Sequence, residues 1–199
     1  MTLVSAATEL QHPIGPHTVE EWRNAEHPSD GGRLELIWGY FHVSPPPGGP
    51  HQYATGALYR ALWDAVRAAG RKDLHPVLAV GVEITTALRT ALIPDVAVLN
   101  RPPTEVSYPA EALELVVEVW SPGNTSRERE TKVAAYAAAG VPYLWTVEQR
   151  VRGRMEYRAY ELVGGVHKER VCGAGDDVLV DVPGPVALTL VCADLDPER

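Results

Sequence analysis

The chain is poor in cysteine, with Cys172 and Cys192 the whole complement in 199 residues. Neither stands in a C-x-x-C or zinc-type spacing, which argues against a thiol metal site and a disulfide scaffold. The expectation is two reduced, buried thiols. Long apolar runs are also missing. No stretch approaches the roughly 20 residues that cross a bilayer. Met1 to Leu10 lacks the basic start and apolar run of a signal peptide. A cytoplasmic protein with no membrane partner is expected. Positive charge is scarce too: 18 Lys and Arg against 26 Asp and Glu leave a net charge of -8. That balance argues against a general nucleic-acid coat protein. It leaves a nuclease open, because a metal site needs carboxylates and a local basic face can hold phosphates. From Gly123 to Arg158 the balance does turn positive, with Arg127, Arg129, Lys132, Arg150, Arg152, Arg154 and Arg158 against Glu128, Glu130, Glu148 and Glu156. Repeats and low-complexity segments are absent.

What remains is a chain long enough to bury a core without disulfides. Its length suits one domain over 1–199, with a core of about 30–150 and a C-terminal β segment of about 151–199. Thr18 to Asn24 reads as a short helix in which Thr18 and Glu21 form a capping box. Arg33 to Trp38 and Phe41 to Ser44 read as a hairpin around Gly39-Tyr40. Pro45 to Pro50 reads as a loop and helix stop, and His51 to Ala69 carries apolar residues at helical spacing, ended by Gly70. Strands are expected at Val77 to Ile84, Ala91 to Leu99, Glu114 to Trp120 and Tyr143 to Glu148. A helix capped by Thr125, with Glu128 reaching back, is expected from Thr125 to Ala139. Further β stretches follow near Arg154 to Leu162, Val166 to Val171 and Val178 to Val182. This order predicts an α/β protein with a central mixed sheet flanked by helices.

Two carboxylates fall inside apolar strands: Asp95 in IPDVAVL and Glu118 in LVVEVW. Buried charges need partners. At about 4 Å two carboxylates repel by about 4 kcal/mol at an effective dielectric of roughly 20, and a divalent cation reverses that penalty. Alternation puts Asp95, Ala97 and Leu99 on one strand face, and Glu114, Val116, Glu118 and Trp120 on one face of another. On neighbouring strands, Asp95 and Glu118 converge on one ion, and carboxylate oxygens with water suit Mg²⁺. Lys132 follows on the next helix, four residues after Glu128 and on the same face. Each piece has a plainer reading. Asp95 could be a turn residue, Glu118 could pair with an arginine, and Glu128 with Lys132 could be a surface pair. His51 could merely start a helix, and Glu35 could face solvent. Glu83 reads as structural, and Arg150, Arg152 and Arg154 as a solvated strand face with DNA contact the alternative.

The run ELVVEVWSPGNTSRERETKVAAYAAAGVPYLW, the hairpin RLELIWGYFHVSPPP with His51 after it, and the strand IPDVAVL resemble the Uma-two family. That family is a branch of the PD-(D/E)XK restriction-endonuclease-like nucleases, and the resemblance spans roughly residues 30 to 150. It implies a restriction-endonuclease-like fold with an N-terminal hairpin and a C-terminal β extension. Carried over residue by residue, it implies metal-binding roles for Asp95 and Glu118. Trp120 stands where the plain motif has lysine, and Lys132 matches a lysine moved to the following helix. Glu35 and His51 match polar residues near the mouth of the site. Glu128 departs from the pattern, which has aspartate there.

The expected function is thus a Mg²⁺- or Mn²⁺-dependent endonuclease that hydrolyses phosphodiester bonds of nucleic acid, with DNA as substrate. The resemblance also implies a homodimer, since restriction nucleases commonly act as dimers with one site for each strand. The alternatives are a catalytically inactive module that uses the same fold for nucleic-acid binding or regulation, and a structural α/β protein whose carboxylates form ion pairs on different faces.

Overall fold

A computed structural model describes residues 15–85, 87, 89–149 and 155–198. In chain order the elements are α1 (Val19–Asn24), β1 (Arg33–Ile37), β2 (Tyr40–Ser44), α2 (Gly49–Ala68), β3 (His75–Leu78), β4 (Gly81–Thr85), β5 (Thr90–Leu92), β6 (Val96–Leu99), β7 (Ser107–Pro109), β8 (Leu113–Trp120), α3 (Ser126–Ala138), β9 (Tyr143–Gln149), β10 (Met155–Val163), β11 (Val166–Ala174), β12 (Val178–Leu179) and β13 (Leu190–Val191). The strands form a five-stranded sheet, β2-β1-β5-β4-β7, and a six-stranded sheet, β11-β10-β9-β8-β6-β3, with β12 and β13 as a separate pair. Both large sheets are mixed. In the larger one β8 and β9 run parallel and β6 antiparallel to β8, so α3 is the crossover of a β-α-β unit.

Local chemistry accounts for the elements around the site. The capping box at Thr18 forms in full: its Oγ1 accepts from the Glu21 N–H at 3.1 Å, and the Glu21 carboxylate accepts from the Thr18 N–H at 2.6 Å. Ile37 faces Tyr40 across a two-residue turn, Trp38-Gly39, in which both residues have positive φ (53° and 84°). This is the pattern of a type I′ turn, whose twist matches the strands it joins. The helix expected from His51 starts earlier, at Gly49. Pro50 sits in its first turn, where a missing N–H costs nothing. At α3 the capping box is half made. Thr125 Oγ1 accepts from the Glu128 N–H at 3.2 Å, but the Glu128 carboxylate accepts from Asn124 Nδ2 at 2.8 Å instead of the cap backbone.

Two expected strands are each broken between the sheets. Val77 to Ile84 divides into β3 and β4 at Ala79, which has φ 47° and donates its N–H to the Asp95 carbonyl at 3.1 Å. Ala91 to Leu99 divides into β5 and β6 at Ile93-Pro94-Asp95, where proline has no N–H to give a ladder. The β4–β5 hairpin therefore belongs to one sheet, and the antiparallel β3–β6 pair to the other. The C-terminal β segment extends the larger sheet through β10, which pairs with β9.

Two cores flank the larger sheet. Leu58, Leu62 and Val66 of α2 pack against Val96, Val98, Leu115 and Val117. On the other face Ala97, Leu99, Val116 and Leu144 meet Val82, Leu92 and Tyr136, between that sheet, the smaller sheet and α3. The alternation expected for β6 and β8 is thus observed. A third cluster packs Val19 and Trp22 of α1 on Leu34, Leu36 and Ala91. Of the two thiols, Cys192 is buried but Cys172 is exposed, since it lies on edge strand β11, which has a neighbour on one side alone. Glu83 is structural as expected: it accepts from Arg23 at 2.7 Å and from Ser107 Oγ at 2.6 Å. Arg150, Arg152 and Arg154, and Met1 to Leu10, lie outside the described residues.

Candidate active site

The break at Pro94 leaves Asp95 one residue outside the β6–β8 ladder. Val96 faces Val117, so Asp95 lies level with Glu118 on the adjacent strand, on the face of Ala97 and Val116. The two carboxyls are 1% and 2% exposed. Asp95 is heavily partnered. Its Oδ1 accepts from Arg33 Nη1 at 2.6 Å, and its Oδ2 from the Val119 N–H at 2.7 Å. His51 Nε2 lies 3.3 Å from Oδ2. Burial alone would raise the Asp95 pKa. His51, Arg33 and the Val119 N–H outweigh it and hold the carboxyl below its ordinary range.

Glu35, from β1 of the smaller sheet, sits next to this pair. It accepts from the Ile93 N–H at 2.8 Å and takes Lys132 Nζ at 2.9 and 2.8 Å on its two oxygens. Glu118 shares Lys132 at a longer 3.7 Å and accepts the Tyr136 hydroxyl at 2.7 Å. Burial pushes the Glu118 pKa up to about 8; Asp95 and Glu35 add to the rise, and Lys132 and Tyr136 oppose it. Burial also opposes the charge on Lys132, but Glu118, Glu35 and Asp95 outweigh it, so the ammonium is held above its ordinary range. Arg33 thus matches Asp95, Lys132 matches Glu35, and Glu118 is the carboxyl with no cation to itself.

All five expected residues come together. Arg33, Glu35, His51, Asp95, Glu118 and Lys132 line one cleft of about 390 Å³, with Pro45 to Pro47 and Glu128 at its sides. Asp95 and Glu118 share a face, contrary to the ion-pair reading that separated them. An arginine partner was the plainer alternative for Glu118, but it is Asp95 that carries the arginine, and Glu118 meets Lys132 instead. Glu35 differs from expectation in depth: it is 2% exposed and lies under the lysine, away from the mouth. Lys132 and Glu128 do not form a surface pair, since Lys132 is buried against Glu35 and Glu128 binds Asn124. Trp120 stacks under the Arg129 guanidinium, 5.8 Å from its ring centre.

Arg33 and Tyr136 are site residues that sequence reading missed, although both left a signal. Arg33 stands two residues before Glu35 in a strand, hence on the same face. Tyr136 stands four after Lys132 on a helix.

Among the described residues, no group of three or more His, Cys, Asp or Glu side chains is arranged to hold a metal ion. The donor chemistry is that of two facing carboxylates. Among the described residues, Asp95 Oδ1 has a single hydrogen-bond donor and Glu118 Oε2 has only the 3.7 Å lysine contact, so both keep lone pairs for a cation. Mg²⁺ is held by one or two carboxylates and keeps several waters. Asp95 and Glu118 fit that demand and are the residues that would hold it. His51 is not needed as a ligand.

A family model described as "Putative restriction endonuclease" (Uma2) matches residues 19–189. The chain belongs to the Uma2 family. Its fold is restriction-endonuclease-like: the chain is similar to a solved structure from Anabaena variabilis described as "a putative nuclease belonging to DUF820". The TM-score is 0.67 at 17% identity, over 90% of this chain and 97% of that one. No curated protein matches. The Uma2 match extends beyond the span of 30 to 150 that carried the resemblance, through α1 and into the C-terminal β segment.

Proposed function

We propose that this Uma2 protein is a metal-dependent endonuclease that hydrolyses phosphodiester bonds in DNA. The observation that carries the reading is the facing of Asp95, just before β6, and Glu118 of β8, beside a buried, charged Lys132, in one open cleft. Mg²⁺ or Mn²⁺ held by the two carboxylates would acidify water and offset charge on phosphoryl oxygens. The chain's own residues do the rest. Glu35 fixes the Lys132 ammonium, whose remaining N–H bonds orient an attacking water or stabilise charge at the phosphate. Arg33, the Val119 N–H and His51 fix Asp95 in one orientation, so no reorganisation is needed when substrate arrives. His51 is steadied in turn by Thr55, 3.5 Å from its Nδ1.

Supercoiled plasmid incubated with purified protein and Mg²⁺ or Mn²⁺ tests this. Cleavage is expected, with Asp95→Asn, Glu118→Gln and Lys132→Ala each slowing it by about 100-fold or more while circular dichroism stays unchanged. No cleavage with either metal, or cleavage that survives Asp95→Asn, overturns the reading. A homodimer is part of the proposal. It would produce linear plasmid without a long-lived nicked form, and a monomer would accumulate nicks.

A further inference from the structure

Beside the cleft runs a second groove of about 520 Å³, between the β1–β2 turn and the first turns of α3. Glu128 lines both, so the two adjoin across that side chain. We propose that this groove holds an unpaired base of the nucleic-acid strand that enters the cleft, with the adjoining phosphate on Arg127. The proposal rests on the nuclease reading and names its substrate class: a strand with at least one base out of the duplex stack.

Trp38 and Tyr40 line the groove and are 57% and 53% exposed. Two large aromatic side chains at a turn gain nothing from burial there. Trp38 also occupies a backbone conformation, φ 53°, that favours Gly or Asn. The turn is braced from three sides. The His17 N–H donates to the Gly39 carbonyl at 2.6 Å, the Gly39 N–H to the Arg89 carbonyl at 2.9 Å, and the Trp38 N–H to Thr90 Oγ1 at 3.3 Å. An exposed indole held in a strained but fixed backbone is a preorganised stacking surface.

Charge agrees. Arg129, Lys132 and Arg158 are engaged by Glu148, Glu35 and Glu169. Arg127 is exposed and makes no ion pair among the described residues, and it lines the same groove. Aromatic faces with a nearby cation suit a single strand, because every base has a π-face and every linkage a phosphate. A duplex keeps its bases stacked and offers the indole nothing.

The test is fluorescence anisotropy in EDTA with two labelled probes, an oligothymidylate of about 16 nucleotides, the upper site size of a single-strand groove, and a duplex of equal length. Trp38→Asn removes the ring with a residue the turn accepts, so the fold is kept. It should weaken oligothymidylate binding about tenfold, with duplex binding changed less than about twofold. Trp38→Phe should retain most of the affinity. Arg127→Ala should weaken binding and lower the salt slope by about 0.7. Oligothymidylate binding unchanged in Trp38→Asn, or lost equally for both probes, overturns the proposal. Metal-dependent cleavage measured in parallel separates the two readings. Wild type that cuts plasmid while Trp38→Asn binds normally sinks this inference alone. Wild type that binds through Trp38 but never cuts sinks the nuclease reading alone.

Discussion

Lys132 is 6% exposed and still charged, because Glu35 takes its ammonium on both oxygens at 2.8 to 2.9 Å. Removing one partner of such a pair leaves a bare buried charge. Glu35→Gln keeps the oxygen that accepts the Ile93 N–H, so its cost isolates the lost charge, expected at about 3–5 kcal/mol in urea denaturation. Adding Lys132→Met should recover most of that loss; additive losses would mean that the pair is not coupled. Glu118 gives a pH signature. Its pKa is 4.5 ordinarily and about 8 in the folded protein. Between those values the native state holds a proton that the unfolded chain has released, so this group's contribution to stability falls as pH rises from about 5 to 8. Glu118→Gln cannot titrate. Its Tm relative to wild type should therefore climb across that window, and a constant offset would refute the shift. Asp95, held low, loses its contribution only in acid and does not enter the window.

The β1–β2 turn and α3 form edges of the site, and each has a checkable energetic. Trp38→Asn relieves a left-handed tryptophan and sacrifices little burial, so the hairpin should gain stability by about 1 kcal/mol, read as a raised Tm. Thr125→Ala removes the α3 cap and should cost about 1 kcal/mol. The helices and the hairpin were legible in the sequence because caps, turn residues and periodicity are local, although the turn falls at Trp38-Gly39, one residue before the expected Gly39-Tyr40. The sheet break was not. IPDVAVL looks like one apolar strand, and only Pro94 hints that the chain changes sheets there. Of the two strands broken this way, this one also frees Asp95 from its ladder, so the local irregularity and the chemistry have the same origin.

At the scale of the whole molecule, the site joins parts that are otherwise separate. Arg33 and Glu35 come from the five-stranded sheet, Glu118 from the six-stranded sheet, Asp95 from the crossing between them, His51 from α2, and Lys132 and Tyr136 from α3. Asp95 and Glu118 could be paired from sequence alternation, being 23 residues apart on adjacent strands. Arg33 lies 62 residues from Asp95, and Glu35 97 from Lys132, and no local rule joins positions that far apart. A cation held between β6 and β8 would bind only the folded arrangement, so it should stabilise the entire protein by mass action, by about 2.7 kcal/mol at 100 times its Kd. Its carboxylate ligands must be deprotonated, and Glu118 releases its proton near pH 8. The Tm increment from Mg²⁺ or Mn²⁺ should therefore be larger at pH 8 than at pH 6. It should vanish in Asp95→Asn, whose amide adds no charge, and lose its pH dependence in Glu118→Gln. Lys132→Ala should keep the increment, because the lysine is no ligand. An equal increment in wild type and Asp95→Asn would place the cation somewhere other than between the two strands.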